Sequence, residues 1–414
     1  MRFSYAESMT EPSYYAPLAR AAEEAGYHSM VIPDSICYPR DSASIYPFNP
    51  DGSREFLEDK PFLEPFSLIP ALGAATATLR FVTFVLKLPV RDPVLTAKQA
   101  TSTAVLTGGR LVLGAGISPW REDYEVLGVD WASRGRRMDE SIAILRGLAA
   151  GGYFEFHGTV FDLPPVKIAP VPAEPIPVLI GGHSDAALRR AARLGDGWLH
   201  GGGDPADLPG LLERLARFRR EESTEGRPFE VHVISADSYT LDGVRRLEDQ
   251  GVTDLIVGFR WPYTTGPDTE PLEDKLTHLR RYADTILTNL LASRHPAGGL
   301  PTRPRGLPVA NQRRKAKFRA YAEVWPSTRT CIRCGANPSA KPDANPSGNG
   351  NPSRNRVPSS TKPRSRSGGK CSAGGSGSSA RNSRRRCPRR RPGPGSRRST
   401  CPRSSAAARN PPAR

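Results

Sequence analysis

The sequence predicts an α/β fold, a (β/α)₈ TIM barrel with insertion loops, followed by a disordered basic C-terminal tail. Two observations predict the barrel. Short runs rich in Val, Ile, Leu and Phe alternate with amphipathic stretches of helical period, which is the pattern of parallel strands joined by helices. The alternation fills residues 1–297, a length that suits one barrel of typically about 250 residues.

Eight runs are predicted as strands, each followed by a helix. An open doubly wound sheet usually has fewer strands and a recognisable switch point, so this count favours a closed barrel. The predicted strands are 2–5, 29–32, 81–88, 110–116, 176–180, 197–200, 230–236 and 254–259. The clearest predicted helices are 12–25, 93–106, 134–149, 184–194 and 272–290.

Two segments exceed a minimal barrel. Residues 35–66 form a long connection rich in proline, and their aromatic residues argue against disorder. Loops of this length are usually functional lids or disordered segments. Residues 151–175 predict a β-hairpin, with its turn at His157 and Gly158, and then a proline-rich connector. We expect both segments at the carboxyl end of the strands, where barrel enzymes have their active sites.

The two parts of the chain differ sharply in charge. Residues 298–414 carry 28 Lys and Arg against two acidic residues, whereas residues 1–297 carry 31 against 40. The net charge of +17 therefore belongs to the tail. This distribution excludes a basic nucleic-acid-binding protein as the interpretation of the whole chain.

The tail is rich in Pro, Arg, Ser and Gly and has too few aliphatic residues to bury a core. One interpretation is an arm that binds nucleic acid through phosphates, centred on residues 384–398. The favoured one is an extension without function, or GC-rich DNA translated in a wrong frame or past a lost stop codon. Five of the six cysteines lie there, and Cys331 and Cys334 form a lone CxxC without a second pair at zinc-binding spacing.

No part of the sequence predicts export or membrane insertion. The N-terminus has no apolar run preceded by positive charge, and no stretch approaches about 18 consecutive apolar residues. The sequence therefore predicts a cytoplasmic protein with a small-molecule substrate and no membrane partner. The histidines show no metal-binding spacing, so no metal is expected.

The strongest local pattern is IGGHSDAALRRAARLGDGW, residues 180–198. Gly181 and Gly182 let the backbone approach a ligand closely. The helix that begins at Ser184 points unpaired N–H groups and its positive dipole end at that ligand. The pattern predicts an anion site, most simply for a phosphate. The alternative is an ordinary glycine turn before a capped helix.

Other polar or small residues stand where predicted strands end, which is the informative place in a barrel. Gly116 closes a Gly-Ala-Gly sequence, but the third glycine of a dinucleotide-binding fingerprint is missing. The small residues are instead expected to leave space for a flat ring. The polar candidates at strand ends are Asp34, Lys87, Ser118, Glu122 and His200.

Three stretches together carry a family resemblance. They are LKLPVRDPVLTAKQATSTAVLTGGRLVLGAGISPWREDYEVLGV (86–129), RMDESIAILRGL (137–148) and IPVLIGGHSDAALRRAARLGDGWLHGGG (176–203). In this order they resemble the luciferase-like monooxygenase superfamily, and most closely its bacterial oxidoreductases that use the deazaflavin coenzyme F420. The likeness covers essentially all of residues 1–290.

The resemblance implies a TIM barrel that holds a deazaflavin or flavin at the carboxyl ends of its strands. In relatives, the Gly-Gly and Ser before the fifth barrel helix hold the cofactor phosphate. Relatives also carry a bulge with a non-proline cis peptide in the third strand, which would fall here near Thr83-Phe84-Val85. The implied cofactor-binding residues are Asp34, Thr83, Phe84, Gly116, Ser118, Gly181, Gly182, His183 and Ser184.

Some F420 enzymes have a histidine directly after the aspartate that ends the second strand, and here that residue is Ser35. The proton-exchange role is therefore open among three catalytic candidates, Glu122, His200 and Lys87. Hydride transfer between F420 and an organic substrate is the favoured activity. The alternatives are FMN-dependent monooxygenation and a barrel that binds cofactor without catalysis. Barrels of this family often pair, so a homodimer is expected.

Overall fold

The structure, a computed structural model, describes residues 1–46, 52–260 and 264–290. These residues belong to the first of two units of the chain, Met1–Val309. The predicted disordered tail, residues 298–414, lies outside the described residues.

Eight parallel strand positions close into a barrel, as predicted. The strands in chain order are β1 (Arg2–Ala6), β2 (Ser29–Ile32), β3 (Arg80–Thr83), β4 (Leu86–Lys87), β5 (Leu111–Gly116), β6 (Phe154–His157), β7 (Asp162–Val166), β8 (Val178–Gly181), β9 (Gly197–Leu199), β10 (Glu230–Val233) and β11 (Asp254–Val257). The barrel runs β1-β2-β3-β5-β8-β9-β10-β11, and β11 pairs back with β1. β4 continues β3 after a break and also pairs with β5.

Helices surround the barrel, and one follows each barrel strand. They are α1 (Tyr15–Glu24), α2 (Pro65–Ala75), α3 (Pro93–Leu106), α4 (Arg121–Val126), α5 (Arg134–Ala149), α6 (Asp185–Leu194), α7 (Leu208–Glu221), α8 (Leu241–Asp249) and α9 (Leu272–Tyr282). The short α4 is an addition between β5 and α5 that the sequence interpretation missed. α9 continues as a π-helical turn, Ala283–Leu287. In the described part of the chain, every helix is too short or too polar to cross a membrane.

The alternation of side chains along the strands fixes what fills the barrel. Successive side chains of a strand point to opposite faces, so every second residue faces the interior. The inner set forms its own buried cluster of aliphatic residues, whereas the intervening residues pack against the helices. The inner cluster consists of Val31, Val82, Val112, Leu179, Leu199 and Ile256.

The third barrel strand departs from the prediction of one continuous run over residues 81–88. It is interrupted after Thr83, and the peptide bond between Phe84 and Val85 is cis. The bulge with a non-proline cis bond therefore lies where the family resemblance placed it.

The predicted hairpin forms, but two details of that prediction are wrong. Its turn lies at residues 158–161, where the Gly158 N–H donates to the Phe161 carbonyl at 2.8 Å. The hairpin also follows α5 and precedes β8, so it connects at the amino end of the strands. It packs along α5, where the Glu140 carboxylate accepts hydrogen bonds from the backbone N–H groups of residues 159–161.

Candidate functional site

Small residues line the barrel interior at the carboxyl end of the strands, and one side chain of the bulge fills the space that they leave. A Cβ atom on Gly116 would lie 2.6 Å from Val85 Cγ2, and one on Gly181 would lie 3.0 Å from Val85 Cγ1. Both glycines are therefore needed to admit Val85. Val85 and Phe84 are half-buried, so they form an apolar floor at the mouth of the barrel. The space expected for a flat ring at Gly116 is thus occupied by Val85, and a ring would lie above it.

Thr83 belongs to the barrel wall next to this floor. Its hydroxyl donates to the Gly114 carbonyl at 2.7 Å, and the side chain is fully buried. A Cβ atom on Gly114 would collide with the Thr83 carbonyl, so the two strands approach closely because residue 114 is glycine. Thr83 therefore shapes the floor through its backbone.

A buried ion pair lies at the mouth between β4 and α4. Lys87 Nζ is 2.7 Å from Asp123 Oδ2, and the Ser118 hydroxyl donates to the same oxygen. Lys87 is 7 % and Asp123 1 % exposed. Leu86 packs against the helices, so by alternation Lys87 points into the mouth. Asp123 was missed at the sequence level, because its neighbour Glu122 occupies the same short segment and looks equally suitable.

Asp34 joins the ends of two strands. Its carboxylate accepts the backbone N–H of Lys87 at 2.9 Å and pairs with the Arg91 guanidinium at 2.9 Å. Arg91 also reaches Glu64 at 3.4 Å, just before α2. The predicted cofactor-binding Asp34 therefore also holds the position of the strand that carries Lys87.

Glu122 binds the long insertion. Its carboxylate accepts from the Ser44 hydroxyl at 2.8 Å. Burial alone would raise the pKa of Glu122, but hydrogen bonds from Ser42, Ser44 and nearby backbone N–H groups outweigh it and lower that pKa. Glu122 is therefore a carboxylate at neutral pH that holds residues 42–44 in place.

The insertion between β2 and α2 contacts both sides of the mouth. Ser44 is held at Glu122, after β5, whereas the Lys60 ammonium donates to the Gly266 carbonyl, after β11. β5 and β11 are the fourth and eighth strands of the barrel and so lie on opposite sides. The described parts of the insertion therefore lie at the carboxyl end of the strands, as predicted.

The glycine turn and the capped helix that were predicted after the fifth barrel strand are both present. β8 ends at Gly181, Gly182 has a φ of +124°, and the Ser184 hydroxyl caps α6 by accepting from the Ala187 N–H at 3.3 Å. A Cβ atom on Gly182 would lie 2.9 Å from the Ala187 Cβ. The first N–H groups of a helix have no partner within the helix and carry its positive end, so this turn can hold an anion.

Two histidines stack beside this turn. The rings of His183 and His200 lie 4.7 Å apart with an interplanar angle of 11°. His200 Nδ1 bonds the Ile234 carbonyl at 3.1 Å, so Nδ1 carries the proton and Nε2 is an acceptor. Among the described residues, that Nε2 has no hydrogen-bond partner, although His200 is only 2 % exposed. His183 Nε2 accepts the Gly201 N–H at 3.2 Å.

Both histidines are neutral at pH 7. Burial, with a further contribution from His183, lowers the pKa of His200 to about 4. Burial also lowers the pKa of His183. By alternation from the inward Leu199, His200 points away from the barrel axis toward the anion site rather than toward the floor.

The candidate residues thus fall into two groups at the mouth. Asp34, Lys87 and Ser118 lie together near β4 and β5, whereas the glycine turn and both histidines lie near β8 and β9. Val85 lies between the two groups, since it contacts the positions of Gly116 and Gly181. The assigned roles of these residues stay predictions.

A second polar cluster lies at the opposite, amino end of the barrel. Acceptor atoms of Glu230, His232 and Asp254 lie within 4.8 Å of one another, as metal ligands would. However, Arg2 pairs with Asp254 at 2.6 Å, and Arg80 pairs with Glu230 at 3.2 Å. Two guanidinium groups thus pair with the two carboxylates, which favours an ion-pair network over a metal centre. Asp254 Oδ1 and His232 Nδ1 have no hydrogen-bond partner among the described residues.

Comparisons with known proteins agree with this architecture. A family model described as luciferase-like monooxygenase matches residues 3–242. An uncharacterized protein of Mycobacterium tuberculosis is 60% identical over 290 residues, which are 70% of this chain and 100% of the relative. An F420-dependent glucose-6-phosphate dehydrogenase of Nakamurella multipartita is 31% identical over 263 residues, 60% of this chain and 71% of the relative. A monooxygenase from Streptomyces bottropensis has the same fold, with a TM-score of 0.55 at 16% identity over 70% of this chain and 99% of that one.

Proposed function

The chain belongs to the luciferase-like monooxygenase family, and from this premise we propose that it transfers a hydride between coenzyme F420 and an organic substrate. The observation that carries the proposal is the pairing of an anion site with an apolar floor on one face of the barrel. The preference for F420 over FMN rests on the likeness to an F420-dependent dehydrogenase.

The residues at the mouth fit a cofactor that has a flat ring and a phosphate arm. The first turn of α6 offers backbone N–H groups and the Ser184 hydroxyl to a phosphate. Phe84 and Val85 offer a half-buried apolar surface to a ring. The unpartnered Nε2 of His200 leaves a buried acceptor next to the phosphate position.

When bound, the cofactor supplies the hydride chemistry, while the protein supplies position and electrostatics. Of the three proton-exchange candidates, Glu122 holds the insertion and His200 faces the anion site. Lys87 is the one that points into the mouth, where its ammonium lies 2.7 Å from the Asp123 carboxylate. We therefore assign to Lys87 the stabilisation of negative charge, and the exchange of a proton, at the substrate.

The insertion completes the site by excluding water. Its contacts at Glu122 and at Gly266 bring it over the mouth from two opposite sides. Loss of bulk water strengthens the effect of a buried charge such as Lys87 on a bound substrate.

FMN-dependent monooxygenation is the second candidate, because the family description and the Streptomyces bottropensis structure both refer to monooxygenases. A titration of the full chain with F420 and with FMN, each oxidised and reduced, separates the two. Absorbance and tryptophan quenching report binding. We expect F420 to bind more tightly than FMN. A preference for reduced FMN would replace the proposed reaction, and binding of neither would remove it.

A pair of glycine variants places the binding site. Gly182→Ala adds a Cβ at a positive φ and 2.9 Å from Ala187, so we expect F420 to bind at least about tenfold more weakly. Gly251→Ala is the matched control, since Gly251 also has a positive φ of +85° but no heavy atom within 4 Å. Equal affinity in the two variants would contradict the assignment of the phosphate to α6.

A further inference from the structure

The stacked histidines next to α6 leave one ring nitrogen without a hydrogen-bond partner among the described residues. The lone pair on His183 Nε2 is used by the Gly201 N–H, and the proton on His200 Nδ1 is used by the Ile234 carbonyl. His200 Nε2 is left as a buried acceptor without a partner in the described part of the chain. A buried polar atom without a partner is unfavourable, and proton uptake would turn it into a donor that a bound anion can accept.

We propose that anion binding at the N-terminus of α6 is coupled to uptake of one proton by His200, at Nε2. The proposal rests on the proposed function only in taking the anion to be the cofactor phosphate. Proton uptake gives His200 a second N–H and a positive charge, one ring away from the residue that forms the anion turn. The binding site thereby gains a full charge that the free protein does not carry.

The fixed charges around the pair do not already supply that charge. Asp207, before α7, raises the pKa of His183, and Arg214, on α7, lowers it. Arg214 is itself paired with Asp185 at 2.8 Å, in the first turn of α6. Trp198, which lies 5.6 Å from the His200 ring, is uncharged and donates to the Gly182 carbonyl. The effects of Asp207 and Arg214 on the pKa of His183 thus oppose each other.

The direction of the pH dependence follows from linkage. The free pair is neutral at pH 7, because burial lowers the pKa of both rings, that of His200 to about 4. A nearby negative charge favours the protonated form of a histidine. Anion affinity must then be flat well above the His200 titration midpoint of the complex. It must rise as the pH falls through that midpoint, until the pH reaches the lower midpoint of the free protein.

Histidine NMR on the full chain tests the coupling directly. The Cε1–Hε1 signals of 13C-labelled histidine are followed from pH 3.5 to 8 in sulfate and in chloride at equal ionic strength. Sulfate keeps its charge over this range and so adds no titration of its own. We expect the His200 midpoint to rise by about two pH units in sulfate, from about 4, while the midpoint of His157, on the hairpin, stays unchanged. An unchanged His200 midpoint would overturn the proposal, whether or not sulfate binds.

A variant of His200 provides a second, independent test of the proton coupling. His200→Asn keeps a side-chain N–H near the position of Nδ1, so the hydrogen bond to Ile234 can persist without a titrating ring. The wild-type chain should bind sulfate about tenfold more tightly at pH 5 than at pH 8, and the variant less than 1.5-fold, as expected when binding raises the His200 midpoint by about two pH units. Equal pH dependence in the two would contradict the role of His200.

These measurements contain no deazaflavin or flavin. Failure of F420 to bind, with the sulfate effect intact, would remove the proposed function and leave the proton coupling. Binding of F420 without any sulfate effect on His200 would do the reverse.

Discussion

The two ends of the barrel interior differ in the residues that fill them. At the amino end, Arg2 and Arg80 pair with Asp254 and Glu230, so charges fill the interior and neutralise one another. At the carboxyl end, Gly116 and Gly181 leave space that Val85 enters. The same alternation of side chains produces both ends. Which residues occupy the inward positions decides whether an end is closed or open.

We expect the amino end to contribute mainly to stability and the carboxyl end mainly to function. Removing one partner of a buried ion pair is strongly destabilising, so substitutions among the paired charges of the amino end should lower stability. At the carboxyl end, by contrast, the ion pair of Lys87 points into the mouth of the barrel, where it can act on a ligand. In barrel enzymes the carboxyl end carries the active site and the amino end contributes stability.

The largest expected effect is the loss of stability caused by a substitution at the amino end. Asp254→Ala removes the partner of Arg2 at a site that is 0 % exposed, and we expect the free energy of unfolding to fall by about 3–5 kcal/mol. Urea denaturation of the full chain measures it. Asp242→Ala, which removes an exposed ion pair with Arg245, is the control and should cost below about 1 kcal/mol. Similar losses in both would show that the amino end is not specially dependent on its pairing.

A substitution at the carboxyl end should lower the free energy of unfolding less than Asp254→Ala does, but it should also weaken cofactor binding. Gly116→Ala pushes Val85 upward, and we expect a loss of about 1–3 kcal/mol together with weaker F420 binding. Gly210→Ala in α7 meets no heavy atom within 4 Å and should instead stabilise the chain by about 0.5–1 kcal/mol. Unchanged F420 affinity in Gly116→Ala would separate Val85 from the cofactor floor.

The helix cap at the anion site should show a smaller effect on stability. Ser184→Ala removes the hydrogen bond to the Ala187 N–H, so we expect a loss of about 1 kcal/mol and at least threefold weaker sulfate binding. Asp92→Ala removes the equivalent cap of α3, at Leu95. Its stability loss should match, with sulfate binding unchanged. A sulfate affinity lowered equally in both variants would argue against an anion site at α6.

A further effect appears only in the pH dependence of stability. Burial would raise the pKa of Glu230, but His232, Arg80 and Arg2 outweigh it and hold that pKa at about 2. Because this folded value is depressed, the contribution is present above the unfolded value of about 4.3 and is lost as the pH falls toward 2. Glu230→Gln should therefore flatten part of the loss of unfolding free energy between pH 5 and 2. An unchanged slope would contradict the pairing.

The sequence predicts the barrel well because the signal is local and repeated. Each strand and helix is visible in its own short stretch, and the cap at Ser184 follows from residues within a few positions. The hairpin was misplaced although the chain order, a helix before it and a strand after it, already indicates the amino end.

The site was harder to predict because its contacts join distant residues. Gly116 is glycine because of Val85, 31 positions earlier, and the environment of His200 depends on Ile234, 34 positions later. Asp123 and Glu122 are neighbours in sequence, yet one pairs with Lys87 and the other holds Ser44. Spacing along the chain does not distinguish such partners.

The central claim is that F420 binds at the carboxyl end, with its phosphate at α6 and its ring over the Val85 floor. A crystal structure of the chain with F420 tests this most directly. The phosphate should lie within hydrogen-bond distance of the Ser184 hydroxyl and the first N–H groups of α6, with the ring against Val85. A cofactor at the amino end, or a ring that does not contact Val85, would contradict the account.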